Sequence, residues 1–315
     1  MLNNLIIAFE VVAPFLILMT LGKALLKVNI FDSNLVRKMN SAVFRVFLPV
    51  LIFNNLYTSR IDDVKDIGTA LYAAAFLFAA YVICFFIIPL VEKDRRKCGV
   101  MIQGICRSNY VIFGVPLCQA ISGDGVLGKI SVSVAIVIPV INIMATLSHE
   151  LFRGEKSEAS LKKVFIGILK NPLIISSAIG IVFLLLGIKF PNIIEKSVSE
   201  VAKIATPLAI ILLGASINFS TGLSNIRQLI TVLLGKLIIV PLIGISLAAI
   251  MGMRGEDIAI LIAALASPVA VSSYPMALEM DGDGDLAAQI VAFSTTFCII
   301  TVFLWVFALK QIGLI

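Results

Sequence analysis

Charged side chains are scarce in this chain, 14% of 315 residues, where an ordinary soluble domain carries about 25%. Acidic residues are the scarcer sign, 19 against 25 Lys and Arg. Histidine occurs once, at His149, and the five cysteines (Cys84, Cys98, Cys106, Cys118, Cys298) are odd in number and scattered, without CxxC spacing. These shortages exclude whole classes of function. A single histidine and no paired cysteines cannot assemble a tetrahedral zinc site, so no metal is expected and the thiols read as reduced and structural. There is no phosphate loop, dinucleotide fingerprint or nucleophile elbow, and no cofactor is expected. An intramembrane enzyme would need converging acids and bases, which one histidine and scattered carboxylates do not supply.

What fills the space instead is hydrocarbon, 60% of the residues. Runs such as LYAAAFLFAAYVICFFIIPL (71–90) are apolar on every face, and about 20 such residues cross a bilayer core of about 30 Å. The runs predict an all-α polytopic membrane protein with ten spans, at 4–26, 34–57, 67–90, 99–121, 126–149, 168–188, 198–218, 228–251, 257–279 and 286–310. No basic residue precedes the first span, so it reads as a retained helix and not a cleaved signal. The longest polar stretch, HELFRGEKSEASLKKV (149–164), divides the chain into a first half (1–150), a linker (151–165) and a second half (166–315).

Basic residues favour one set of loops. Lys23, Lys27, Arg37, Lys38, Lys93, Arg95, Arg96, Lys97, Arg153, Lys156, Lys162, Lys163, Lys170 and Arg227 fall on one side; Arg60, Lys65, Lys129, Lys189, Lys196 and Arg254 fall on the other. The bias predicts a multi-pass protein of the cytoplasmic membrane with both termini outside and the linker inside. The net charge of +6 then reflects topology, and no nucleic-acid partner is expected.

The two halves repeat. Pro116 precedes Gly123-Asp124-Gly125 by seven positions, as Pro275 precedes Gly282-Asp283-Gly284. Asn109 stands seven before Pro116, as Pro268 stands seven before Pro275, at an offset of 159. At an offset of 158, Pro14 and Gly22 match Pro172 and Gly180, while Arg45 and Pro49 match Lys203 and Pro207. Five spans per copy make the second insert upside down, a 5+5 inverted repeat.

Proline within a span removes a backbone donor and clashes with the preceding turn, and the freed groups cannot face lipid. Spans 4 and 9 are therefore expected to be broken and to cross, with half-helix N-termini aimed at the crossing, an arrangement suited to a carboxylate. The residues around these breaks are Asn109, Gly114 and Pro116 in one copy and Pro268, Ser272, Ser273, Tyr274 and Pro275 in the other. No acidic residue lies between Arg107 and Ala120, or between Asp257 and Glu279, which favours an anion over a metal ion. Arg45, Lys203 and Lys236 fall inside other spans. A basic residue at a helix centre costs about 2.5–3.5 kcal/mol, so each needs a use: attracting a substrate anion, snorkelling to an interface or binding helix carbonyls.

Two stretches resemble the auxin efflux carrier family. NSAVFRVFLPVLIF (40–53) is similar to that family's second helix, with Asn and Pro-x-Leu separated by eight residues, and SNYVIFGVPL (108–117) is similar to its fourth helix, with Asn seven residues before a crossover Pro. The likeness implies a scaffold of helices 1, 2, 6 and 7 and a transport domain of helices 3–5 and 8–10. It maps Asn109, Pro116 and Pro275 onto a crossover site that holds a carboxylate. Pro268 and Pro275 stand farther apart than in the plant pattern, and the short linker looks like the prokaryotic branch, for which malate or malonate are plausible substrates.

The expected activity is alternating-access (elevator) transport of a small organic anion, as an efflux uniporter. The inside-negative potential drives exit by about 2.3 kcal/mol per charge per 100 mV. The alternatives are sodium- or proton-coupled symport, as in the bile-acid sodium symporters of similar architecture, and an anion channel. Small residues in SAIGIVFLLLGI (177–188) predict a homodimer through helix 6.

Overall fold

The computed structural model describes residues 2–59, 67–153, 161–216 and 225–315, and their side chains except those of 2–12, 124, 161, 163 and 164. The first helix is α1 (Leu2–Lys27). The predicted 34–57 span is α2 (Ser33–Ala42), a π-helical turn (Val43–Phe47) and α3 (Leu48–Tyr57). Next come α4 (Gly68–Val91), α5 (Arg95–Cys106), a π turn (Tyr110–Gly114), α6 (Val115–Ser122) and α7 (Leu127–Phe152). The second half holds α8 (Leu161–Lys170), α9 (Pro172–Leu186), α10 (Asn192–Ser216), α11 (Ile226–Leu234), a π turn (Gly235–Ile239) and α12 (Val240–Ile250). It ends with α13 (Glu256–Leu261), a π turn (Ile262–Ala266), α14 (Ser273–Glu279) and α15 (Gly284–Gln311). Five of these helices, counting 226–250 as one, are long and apolar enough to cross a membrane. Residues such as Phe86, Leu90 and Leu185 turn apolar side chains outward, as a lipid-facing surface requires.

The four π turns have one cause. Each ends two residues before a proline: Pro49, Pro116, Pro241 and Pro268. A proline cannot donate to the carbonyl four positions back, and its ring crowds that carbonyl; at Pro49, Pro116 and Pro241 shifting one turn to i→i+5 bonding carries the ladder around the gap, while before Pro268 the helix stops at Ala266. The carbonyl left over by Pro241 belongs to Leu237, and the Trp305 indole donates to it at 3.0 Å.

The helices pack in two groups. In one, α1 lies along α10 and α3 along α9, with α3 also against α10. Gly22 and Gly214 make the first contact possible, since a Cβ on either would run into the backbone of the partner helix at Ile211 or Met19. In the other group α7 packs on α4 and α5, and α15 on α11 and α14. The groups touch through α1 against α15, α7 against α9, and α14 against α2 and its π turn.

Two expectations change here. The polar stretch 149–164 is not all linker: α7 continues to Phe152 and α8 begins at Leu161, while 154–160 lie outside the described residues, as do the loop charges Arg60, Lys65 and Lys156. The 168–188 span is interrupted at Asn171, whose side chain caps α9 by accepting from the Leu173 N–H at 2.9 Å, with Pro172 at the first helical position. Of the small residues that suggested a dimer, Ser177 and Gly180 are buried, with a Gly180 Cβ 2.9 Å from Leu56, while Ala178 and Gly187 are exposed. The outward face of α9 also carries Ile175, Ile179, Val182, Leu185 and Leu186.

Candidate functional site at the helix crossing

Both predicted breaks are present. Between α5 and the π turn at Tyr110, residues 107–109 leave the helix, with Arg107 extended at φ −87, ψ 116. Between Ala266 and α14, residues 267–272 do the same. The breaks meet: the Asn109 N–H donates to the Pro268 carbonyl at 2.8 Å, and Ser108 and Val269 form an antiparallel β-bridge. The backbones also pass close together at Gly114, where a Cβ would lie 2.6 Å from the Ala263 carbonyl oxygen.

A helix that stops inside a membrane leaves its last carbonyls without partners. At the end of the 256–266 helix they are met one by one. Ser267 Oγ donates to the Ala263 carbonyl at 2.6 Å, Ser108 Oγ donates to that of Ala264, and Lys236 Nζ donates to that of Leu265 at 3.2 Å. Lys236 also donates to Ser108 Oγ. It is fully buried, and its charge sits at the negative end of the half-helix, where the helix dipole favours a cation.

The second buried cation is Arg107, 3% exposed. Its Nη2 donates to Asn142 Oδ1 at 2.9 Å and its Nη1 to Met276 Sδ at 2.8 Å. The hydrogen-bond partners described for Arg107 and Lys236 are all neutral. Because Arg107 can only donate, it fixes the Asn142 amide with oxygen inward and Nδ2 outward. That Nδ2 has no partner, nor has Nδ2 of Asn109, and both residues are buried.

These groups surround a cavity of about 60 Å³. One wall is the crossing, with Arg107, Ser108, Asn109, Asn142 and Ser272; the facing wall, from α3 and α10, is apolar apart from Asn55 and Thr206. The cavity also reaches Tyr110–Ile112, the first residues of the resumed helix, whose N–H groups have no intrahelical acceptor. No side chain caps that end.

The other sequence-derived candidates are placed as follows. Pro268 joins the crossing through its carbonyl. Gly114 shapes the contact, and Pro116 lies beyond it on the exposed side of α6. Ser273 and Pro275 are buried in α14, with Ser273 Oγ unpartnered. Tyr274 lines a different, larger cavity of about 740 Å³ between α1, α2, α10 and α14, with Lys23, Arg37, Asn40 and Glu279. Arg45 and Lys203 do not reach the crossing cavity. Arg45 is 69% exposed and pairs with Glu279 at 3.0 Å, while Lys203 is 67% exposed and pairs with Glu200 at 2.7 Å one turn away. Both hold to acidic residues on the surface, as long basic side chains on span faces can. Sequence reasoning missed Arg107 and Asn142. The available signal was position alone: each is polar inside a predicted span, where polar side chains are costly.

The chain matches the model of the membrane transport protein family over residues 7–306. An uncharacterized transporter of Methanothermobacter thermautotrophicus is 24% identical over 307 residues, covering 94% of this chain and 96% of the relative. A second, from Methanocaldococcus jannaschii, is 21% identical over 309 residues, covering 95% and 98%. Among solved structures, a sodium proton antiporter from Methanocaldococcus jannaschii superposes with a TM-score of 0.66 at 15% identity, over 99% of this chain and 96% of that one; at that identity the likeness concerns the fold. With its interrupted apolar helices and a family match over nearly its whole length, the chain is an integral membrane protein and a transporter, and it belongs to the membrane transport protein family, that of the auxin efflux carriers.

Proposed function

We propose that this protein is an alternating-access carrier for a small organic anion, bound at the helix crossing by Arg107, the Asn109 and Asn142 amides and the N-terminus of the helix that resumes at Tyr110. The observation that carries the reading is the pair of buried, unpartnered amide donors, Asn109 Nδ2 and Asn142 Nδ2, beside a buried arginine whose described partners are neutral. Buried donors and charges without partners are costly. An anion in the cavity would satisfy all three at once, whereas a sodium ion would meet donors and positive charge.

The mechanism follows from the two helix groups. The spans form a five-plus-five inverted repeat, with 107–109 and 267–272 as its matched breaks. Gly22 and Gly180, one repeat apart, both permit close helix contacts, of α1 with α10 and of α9 with α3, which supports that symmetry. The α1, α3, α9 and α10 group acts as the scaffold and the group carrying the crossing as the transport domain. The site lies between them, so a displacement of one group against the other opens it to alternate sides. With both termini outside the cytoplasmic membrane, the 740 Å³ cavity faces the cytoplasm as an entry vestibule and the membrane potential drives a net negative substrate outward.

Binding tests the site directly. Radiolabelled malonate should bind saturably to protein in nanodiscs and lose at least about tenfold in affinity in Arg107→Gln, about the 1.4 kcal/mol that corresponds to one charge-assisted hydrogen bond. Binding equal in wild type and variant would remove Arg107 from the site.

A further inference from the structure

His149 lies near the end of α7 and is the chain's one histidine. It is 2% exposed, and a chain of side-chain contacts ties it to the crossing. His149 Nε2 and Gln103 Oε1 are 3.0 Å apart. Gln103 Nε2 donates to Met276 Sδ at 3.1 Å, the same sulfur that accepts from Arg107. Arg107 then holds Asn142, which lines the cavity.

Donor and acceptor roles fix the tautomer. A thioether can only accept, so the Gln103 amide points its nitrogen at Met276 and its oxygen at His149. That oxygen can only accept, so Nε2 carries the imidazole proton and Nδ1 is left as a bare basic lone pair. Nδ1 has no hydrogen-bond partner. Side chains are absent from its surroundings on two sides: a Cβ at Gly99 would lie 3.4 Å from Nδ1, and one at Gly282 3.2 Å from Cε1. The turn carrying Gly282 is partly exposed at Asp283 and exposed at Asp281, which gives protons a short route in.

We infer that His149 Nδ1 is a proton-binding site linked to the anion site, taking up a proton when an anion offsets the charge of Arg107. The inference rests on the anion reading of the crossing. The charged groups around the imidazole are Arg107 just past the end of α5, Arg95 at its start, Glu150 on the imidazole's own helix, the Arg96–Asp281 pair beside the Gly282 turn, and Asp283, whose carboxylate caps α15 by accepting from the Leu286 N–H at 2.9 Å. Arg95 donates to the Leu151 carbonyl at 2.6 Å, Glu150 points at Gly167 of α8, and Arg96 and Asp281 are 3.5 Å apart. Arg107 is the one whose charge an anion at the crossing would offset. In the step itself, a proton from water forms the Nδ1–H bond and imidazole becomes imidazolium. With the crossing empty, that puts two cations in one low-dielectric network; with an anion bound, the network gains a counter-charge. Linkage is reciprocal, so protons also tighten anion binding. A dianion would then move with one proton and keep a net negative charge.

One histidine makes the test specific to one site. Protein labelled with ¹⁵N-histidine is placed in nanodiscs at mildly acid pH, and its single imidazole is observed by NMR with and without malonate, and in Arg107→Gln and Arg107→Lys. The wild type alone should show a neutral imidazole protonated at Nε2, and malonate should convert a measurable fraction to imidazolium. Arg107→Gln should do so without malonate, and Arg107→Lys should resemble the wild type. In weak buffer, malonate should also draw protons from solution with wild type and not with His149→Gln. An imidazole unchanged by bound malonate overturns the proposal, as does one unchanged in a folded Arg107→Gln protein. An imidazole that responds to Arg107→Gln in a protein that binds no malonate would instead overturn the anion reading and leave the proton site in place.

Discussion

The backbone of Asn109 donates to the carbonyl of Pro268 at 2.8 Å, so two helices 159 positions apart in sequence are joined, at their interruptions, by a main-chain hydrogen bond. The bond lets unwound backbone exist at membrane depth: each break supplies a partner for the other, and Ser108, Ser267 and Lys236 meet the carbonyls that end the 256–266 helix.

Gly114→Ala should be destabilising. The added methyl would lie 2.6 Å from the Ala263 carbonyl oxygen, and separating the two backbones costs about 1–3 kcal/mol as overpacking does. A lower midpoint in thermal unfolding in detergent, with Gly128→Ala unchanged as control, checks it; Gly128 has nothing near its Cβ.

Lys236→Met should leave the protein folded and without transport. The loss of a donor to the Leu265 carbonyl costs about 1–3 kcal/mol, but removal of a buried charge recovers desolvation energy, so the two effects oppose each other. The half-helix end nevertheless loses its cation and Ser108 its donor. Unfolding midpoint and flux measured on the same preparation separate these effects.

Arg45 and Glu279 join the two helix groups beside the proposed site. With Arg45 69% exposed, though Glu279 is only 17% exposed, the pair should contribute about 1 kcal/mol to stability, so Arg45→Ala should move the unfolding midpoint only slightly. Cysteines introduced at both positions and joined by a bifunctional methanethiosulfonate reagent, which spans more than a disulfide can, should stop flux, and a reductant should restore it, because the proposed cycle separates these groups.

Asn109→Asp should abolish anion binding more completely than Asn109→Ala. The alanine removes one unpartnered donor, while the aspartate adds like charge to the cavity beside the bound anion. Competition binding with both variants tests the order.

Much of this was legible in the sequence, for reasons particular residues make plain. The prolines at 116 and 275 and the matched spacing of the copies pointed to the interruptions, which lie N-terminal to both prolines, at 107–109 and 267–272, and contain the paired Asn109 and Pro268. Their meeting followed from the rule that freed backbone cannot face lipid. The charges were harder. Arg45, Lys203, Lys236 and Arg107 all fall inside predicted spans, and hydropathy cannot say which face of a helix turns inward. Two proved exposed and paired with glutamates, and two proved buried. The rotation of α7 that brings Asn142 to Arg107, and the tautomer of His149, depend on contacts between helices far apart in sequence. Gly180 was read as a face for a second copy and instead meets Leu56 within the chain, since a small residue permits close packing without naming its partner.

Anion flux through the crossing is the central claim. Purified protein in liposomes, under an imposed potassium-diffusion potential, should carry labelled malonate in a saturable way, toward the positive side, with flux falling at least about tenfold in both Asn109→Ala and Arg107→Gln, about 1.4 kcal/mol of transition-state or binding energy each. Malonate flux that is indifferent to the potential and unchanged in both variants would contradict it.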